Sequence, residues 1–218
     1  PHELFRWPAT VDVQTSGPIA LAGRYWVRVR IGQWSDSASF LLKEDPRVRA
    51  TPADLAAQFA LLQRVRDTTN AGTMAVITIR NVRAQLDDRL AMVHGADSTS
   101  LASVAAQLRD SLDAAEGRLY QVHLQADEDA LNYPGAVVER ISALSGQVSA
   151  ASERPTDQQI GVFNQFAPVL QRNLVAYKRI LATELPKVNA KLEQLGKPAI
   201  TPQAKELRPP KTIAMLGR

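Results

Sequence analysis

At Asp45-Pro46-Arg47 the hydrophobic pattern of this chain changes period. Upstream, apolar residues fall on alternate positions, as on half-buried strands. Downstream they recur every three or four positions for about 150 residues, as on helices. Strands followed by helices, rather than alternating with them, predict an α+β class. The expected form is a short partial antiparallel β-sandwich of immunoglobulin or fibronectin type, then a long antiparallel bundle of three to four helices. The corresponding boundaries are residues 1–46 for the sandwich piece, 47–196 for the bundle and 197–218 for a basic, Pro-containing tail.

In the first segment, Gly23 to Gly32 places Tyr25, Val27, Val29 and Ile31 on one face of a strand and Trp26, Arg28 and Arg30 on the other. Ser39-Phe40-Leu41-Leu42-Lys43 reads as its hairpin partner, and Leu4-Phe5-Arg6-Trp7 and Val11-Asp12-Val13 as two further short strands. An immunoglobulin-like sandwich uses about seven strands, so this sheet is small or incomplete, with the remaining strands expected upstream or on a partner. Trp26, Arg28, Arg30 and Trp34 form a candidate ligand or interface face. Aromatic rings and guanidinium groups stack on sugars, and the same side chains also pack against a neighbouring layer. Both roles are open, packing being the simpler.

Thr51-Pro52-Ala53-Asp54 is a helix start: Thr51 caps, Pro52 suits the first position and Asp54 complements the dipole. Leu55, Leu62, Val65, Thr69, Gly72, Val76, Ile79, Leu86, Leu90 and Val93 then follow a near-heptad stripe toward a stop at His94-Gly95, in which Gly72 allows either close approach of another helix or a local bend. A second helix follows Asp97-Ser98, with Leu101, Val104, Leu108, Leu112, Ala115, Leu119 and Val122 on its stripe. A third carries Val137, Ile141, Leu144, Val148 and Ala151. A fourth starts near Thr156-Asp157 and runs from Ile160 to Leu195, kinked by Pro168 and Pro186 and ended by Gly196.

The net charge of +4 suggests nucleic acid until its location is considered. From residue 197 onward, Lys197, Lys205, Arg208, Lys211 and Arg218 stand against Glu206 alone, so the tail holds the whole excess and the body is balanced. No nucleic-acid partner is expected. No apolar run reaches the roughly 18 residues that cross a bilayer, so no membrane span is expected. The start, with neither Met nor a signal-peptide pattern, is what a processed or partial chain would show. Cysteine is absent, which removes disulfides, thiolate metal sites and a Cys nucleophile.

His2, His94 and His123 lack ligand spacing, and Asp127-Glu128-Asp129 lacks the spaced oxygens and central Gly of a calcium loop. Glycine-rich phosphate loops and nucleophile elbows do not occur, and Ser142, Ser145 and Ser149 sit at helical spacing. The carboxylate pairs Asp87 with Asp88 and Asp110 with Asp113 are of the kind carried by exposed helix faces. No catalytic residue, cofactor or metal is expected of this chain.

Gly23 to Val29, then Asp45-Pro46-Arg47-Val48, Ala53-Asp54-Leu55, Leu119-Tyr120, Leu131-Asn132-Tyr133-Pro134, Pro155-Thr156 and Asn189, in this order, resemble a known family. It is the C-terminal region of bacterial BNR-repeat, sortilin-like proteins classed as glycosyl hydrolases of exo-sialidase-like β-propeller type. The resemblance spans most of residues 17 to 200 and implies an exported, extracytoplasmic protein with a β-propeller upstream, in the same chain or cleaved from it. The family's Asp-box repeats do not occur here, so no family catalytic residue carries over. The N-terminus also departs from the family, Leu4-Phe5-Arg6-Trp7-Pro8 only loosely echoing its aromatic segment.

The expected function is therefore a non-catalytic accessory module that packs on, or oligomerises, a propeller protein. One alternative is that Trp26, Arg28, Arg30 and Trp34 supply a carbohydrate-binding or active-site rim. Another is a self-standing helical adaptor that takes a partner helix in a groove.

Overall fold

A computed structural model of the chain describes residues 17–124 and 127–203. The expected strands at Leu4–Trp7 and Val11–Val13, together with His2 and the tail cations Lys205, Arg208, Lys211 and Arg218, lie outside the described residues. The fold is α+β and mostly helical. Strands β1 (Gly23–Ile31) and β2 (Trp34–Leu42) precede α1 (Pro52–Ala91), α2 (Ala96–Leu119), a 3-10 turn (Asp127–Leu131), α3 (Val137–Ser149), α4 (Asp157–Thr183) and α5 (Leu185–Gln194). Two compact units divide the chain, Pro1–Asn70 with His123–Leu170 and Ala71–Val122 with Gln171–Arg218, so α1 and α4 each contribute to both. None of the described helices is long and apolar enough to cross a membrane.

In the first unit, helix termini are closed by side chains. The Thr51 hydroxyl accepts the Asp54 N–H at 3.2 Å and the Asp54 carboxylate accepts the Thr51 N–H at 3.1 Å, a reciprocal capping box at the start of α1. Thr156 and Gln159 repeat the arrangement at α4, at 3.2 and 2.9 Å. At α3 only one half of a box exists: the Ala136 N–H donates to the Glu139 carboxylate at 2.6 Å, because an alanine has no acceptor to return. Beside it the chain passes close at Gly135, where a Cβ would lie 3.1 Å from Cβ of Glu139. The far end of α3 is covered from α1, where the Gln58 amide donates to the carbonyls of Val148 and Ala151, groups that the helix cannot satisfy itself. Leu55, Leu62, Val65, Ile141, Leu144 and Phe163 are buried in this unit.

In the second unit, α2 packs on α5, and Val76, Ile79, Leu86, Leu108, Leu112 and Leu192 are buried. Within this apolar setting Glu116 is only 2% exposed, and its carboxylate takes Arg80 Nε at 2.6 Å and Arg83 from the other side. Arg83 also holds Asp113, and the Arg80 guanidinium lies 5.5 Å from the centre of the Tyr120 ring. Two cations on one carboxylate offset the desolvation that a single surface pair would not.

Several sequence expectations need correcting. α1 ends at Ala91, ahead of His94, and α2 starts at Ala96, since Gly95, at φ 71, turns the chain immediately before it. α4 runs unbroken through Pro168, whereas at Pro186 the helix breaks: α4 ends at Thr183 and α5 restarts at Leu185, with the proline in its first turn. Proline removes a donor and clashes one turn back inside a helix, but its missing N–H costs nothing at a start. Val122 and Ala151 fall beyond the ends of their helices and are exposed.

After α5, Gly196 takes φ 62 and the chain leaves in an extended segment held by side chains. The Asn189 amide accepts the Ile200 N–H at 2.8 Å and donates to the Ile200 carbonyl at 3.0 Å. On α1, the Gln85 amide does the same for Thr201, at 3.1 and 2.9 Å. Arg89 Nε donates to the Pro198 carbonyl at 2.9 Å and Asn81 donates to that of Gln203. Ile200, 1% exposed, is the one buried side chain of the segment.

Replacing Glu116 by Ala takes the shared buried carboxylate from Arg80 and Arg83, whose side chains are 24% and 26% exposed. Partial solvation softens the roughly 3–5 kcal/mol typical of broken buried pairs to about 2–3 kcal/mol. By contrast, Asp87→Ala, which removes the exposed partner of Arg109, is expected to cost under about 1 kcal/mol; urea titrations of both variants check the contrast. The Asp54 carboxyl is held below its usual value by the Thr51 hydroxyl first, then the Thr51 N–H, with Arg154 adding to both. Because the folded-state value is the lower one, its contribution is complete above the ordinary carboxylate range and is lost as pH falls through the lowered value. The stability gap between wild type and Asp54→Asn should therefore be constant near neutrality and close on acidification in pH-resolved melts.

Candidate functional site

The hairpin is the part of the fold whose chemistry is least used internally. Its strands are joined by Gly32-Gln33, and Gly32 has φ 59 while Gln33 does not take a positive φ, the pattern of a two-residue II′ turn that matches strand twist. The register follows from that turn: Ile31 faces Trp34, Val29 faces Asp36, Val27 faces Ala38 and Tyr25 faces Phe40. Directly opposed residues share a face. One face therefore carries Tyr25, Val27, Val29, Ile31, Trp34, Ala38 and Phe40 with a single carboxylate, Asp36, and the other carries Arg24, Trp26, Arg28, Arg30, Leu41 and three serines.

This divides the expected candidate face. Trp26, Arg28 and Arg30 do lie together, across from Ser39, Ser37 and Ser35. Trp34 is on the opposite, apolar face, because the two-residue turn pairs it with Ile31. Spacing along the strand grouped the first three correctly; counting back from the turn glycine would have placed the fourth.

At its base the hairpin is anchored locally. The Tyr25 hydroxyl donates to the Leu21 carbonyl at 2.6 Å, and the Tyr25 and Phe40 rings stack at 5.9 Å. Beyond that base the apolar face is open: Val27 and Val29 are each 50% exposed, Phe40 51%, Trp34 57% and Ile31 70%. No third strand pairs with β1 or β2 among the described residues, which leaves backbone donors and acceptors along both outer edges. On the polar face Trp26 is 70% exposed. Arg24 reaches Ser39 at 3.4 Å, and no carboxylate pairs with Arg28 or Arg30 among the described residues.

Elsewhere the described residues bring no three His, Asp or Glu side chains into a geometry that would hold a metal ion. Asp127–Leu131 is a 3-10 turn, and His123 packs its ring against Tyr133 at 5.4 Å. A small cleft in the first unit is lined by Ile19, Leu21, Glu44, Gln58, Phe59 and Ser152. Its amide, Gln58, is already committed to the end of α3.

Comparison with family models, curated proteins and solved structures finds no match to this chain.

Because Trp26 and Trp34 both lie on exposed parts of the hairpin, Trp26→Ala and Trp34→Ala should each alter the stability of the isolated chain by less than about 0.5 kcal/mol. Thermal melts followed at helical wavelengths test this, and a loss of several degrees for either would show a packing role within the chain.

Proposed function

We propose that this chain is a non-catalytic interaction module that docks through the apolar face of its hairpin onto a β-rich neighbour. The carrying observation is that Val27, Val29, Ile31, Trp34 and Phe40 are each at least half exposed on one face of a two-stranded ribbon. An isolated hairpin is marginal in water, and a sheet gains independent stability from a third strand or a packed layer. Covering a side chain of this size contributes about 1.5–3 kcal/mol before the costs of association. The patch, flanked by unpaired strand edges, is therefore suited to a second β layer.

The resemblance to the C-terminal regions of BNR-repeat, sortilin-like proteins supplies the identity of that neighbour: the β-propeller portion of the same or a cleaved chain, in an extracytoplasmic location. On this reading the hairpin is part of a β-sandwich completed by the neighbour, the helices form an antiparallel bundle, and self-association is the other use of the same face. A second reading has its own support. Trp26 stands exposed among Arg24, Arg28 and Arg30, and an indole flanked by guanidinium groups suits a carbohydrate rim.

Size-exclusion chromatography with intact-mass and peptide analysis of natively purified protein tests the main reading. A co-purifying or covalently continuous propeller polypeptide is expected, and Val27→Lys with Ile31→Lys should release the separate form without lowering the melting temperature. A lone monomer that stays monodisperse at high concentration and ignores added propeller would sink it. Sugar binding that Trp26→Ala abolishes, in a chain that ignores added propeller, would establish the second reading instead.

A further inference from the structure

We propose that the outer edge of β1 receives one strand of the β-rich neighbour, paired antiparallel, with carboxylates at alternate positions and aliphatic residues between them. Such pairing presupposes that the hairpin docks onto a neighbour, and it specifies the edge used and the strand that fits.

The turn decides which backbone groups are free. A two-residue loop closes on a hydrogen-bonded pair, here Ile31 with Trp34, and such pairs alternate along an antiparallel ribbon with pairs that exchange no bond. Val29 with Asp36, Val27 with Ala38 and Tyr25 with Phe40 therefore turn their backbone groups inward. Arg24, Trp26, Arg28 and Arg30 on β1, and Ser35, Ser37, Ser39 and Leu41 on β2, direct theirs outward. The two edges are unequal. On β2 the Ser37 N–H already donates to the Asp36 carboxylate at 2.7 Å, and that carboxylate also sets a charge in the middle of the apolar face. A charge facing inward is one of the devices that keep an edge from pairing, and a donor in use costs an incoming strand a bond. On β1 no such bond takes an outward N–H among the described residues.

Charge selects the strand. Directly opposed residues share a face, so each residue paired with Arg24, Arg28 or Arg30 stands beside a guanidinium group. Arg28 and Arg30 have no carboxylate of their own among the described residues. The intervening residues fall on the side of Val27, Val29 and Ile31, where an aliphatic side chain extends the exposed apolar patch. Main-chain bonds then give affinity and alternate side chains give specificity, as in other strand additions. A second copy does not meet the demand, because pairing β1 antiparallel with itself about residue 26, 27 or 28 sets arginine against arginine. Nor do residues 1–22, whose carboxylates, Glu3 and Asp12, lie an odd number of positions apart and so cannot share one face of an unbroken strand.

Calorimetric titration and hydrogen exchange on the full chain test this, with an alternating Glu-Val peptide as long as β1 as the probe. One peptide should bind per chain, and the Trp26, Arg28 and Arg30 amides should gain protection while those of Ser35 and Ser39 do not. Arg28→Glu with Arg30→Glu should weaken that peptide about ten-fold or more and make an alternating Lys-Val peptide the better ligand. Methylating the peptide's Glu amides, which face β1, should abolish binding, and methylating its Val amides should not. No binding at millimolar peptide, binding that survives methylation at Glu, or protection along β2 instead of β1 overturns the proposal. Failure of the peptide while a propeller polypeptide still co-purifies overturns the edge assignment and leaves docking through the apolar face standing. Peptide binding by a lone monomer that ignores added propeller upholds the edge and its ligand class, and overturns the neighbour as the source of the strand.

Discussion

The Glu116 carboxylate, buried between Arg80 and Arg83, is the interaction on which the order of the second unit depends. An anion so placed tolerates few arrangements, because any slip of α2 along α1 leaves it without a cation in a setting where an unpaired charge is very unfavourable. It also sits in the last turn of α2, next to Leu119, where the helix dipole disfavours negative charge. The two guanidinium groups must offset both effects. Apolar contacts between Leu108 or Leu112 and their surroundings would permit sliding by a turn; the ion cluster does not. It thereby gives a register to helices whose buried residues are otherwise mostly aliphatic, with the exposed Asp87–Arg109 pair beside it.

Once that register is set, the remaining polar groups fall into a consistent pattern in which side chains complete backbones. Gln58 covers the end of α3, Thr51 and Thr156 close the starts of α1 and α4, and Asn189 and Gln85 hold the segment after α5. These are neutral or locally paired groups, so they are little affected by ionic strength. The hairpin differs in kind. Its regularity comes from a two-residue turn and a Tyr25–Phe40 stack at the base, and most of its apolar area is left unspent.

The legible part of the fold was the part written in periodicity. Leu55, Leu62, Val65, Val76, Ile79 and Leu86 are buried on α1 as their spacing requires, and Thr51 caps as its position before Pro52 requires. Leu61 and Val82 are buried too and widen the stripe of α1 beyond a single seam, and Glu116 is buried on α2. Nothing local marks a glutamate whose cations lie 33 and 36 residues away. Pro168 and Pro186 look alike in sequence; only at the second does the chain restart its helix. Within the hairpin, alternation grouped Trp26, Arg28 and Arg30. Trp34 required the turn length as well, since a two-residue loop fixes which side of the ribbon follows it. The amides of Asn189 and Gln85 carry no periodic signal, because their partners are main-chain atoms.

The clamp on residues 198–203 also orders events during synthesis. Its α1 partners precede the residues they hold by 109 to 122 positions. While the intervening chain emerges from the ribosome, Asn81, Gln85 and Arg89 have no segment to hold, and that flank of α1 is complete only when translation has passed Gln203. The last-made residues described are therefore also the last that can be fastened, after the whole of α1 and α5 has been made.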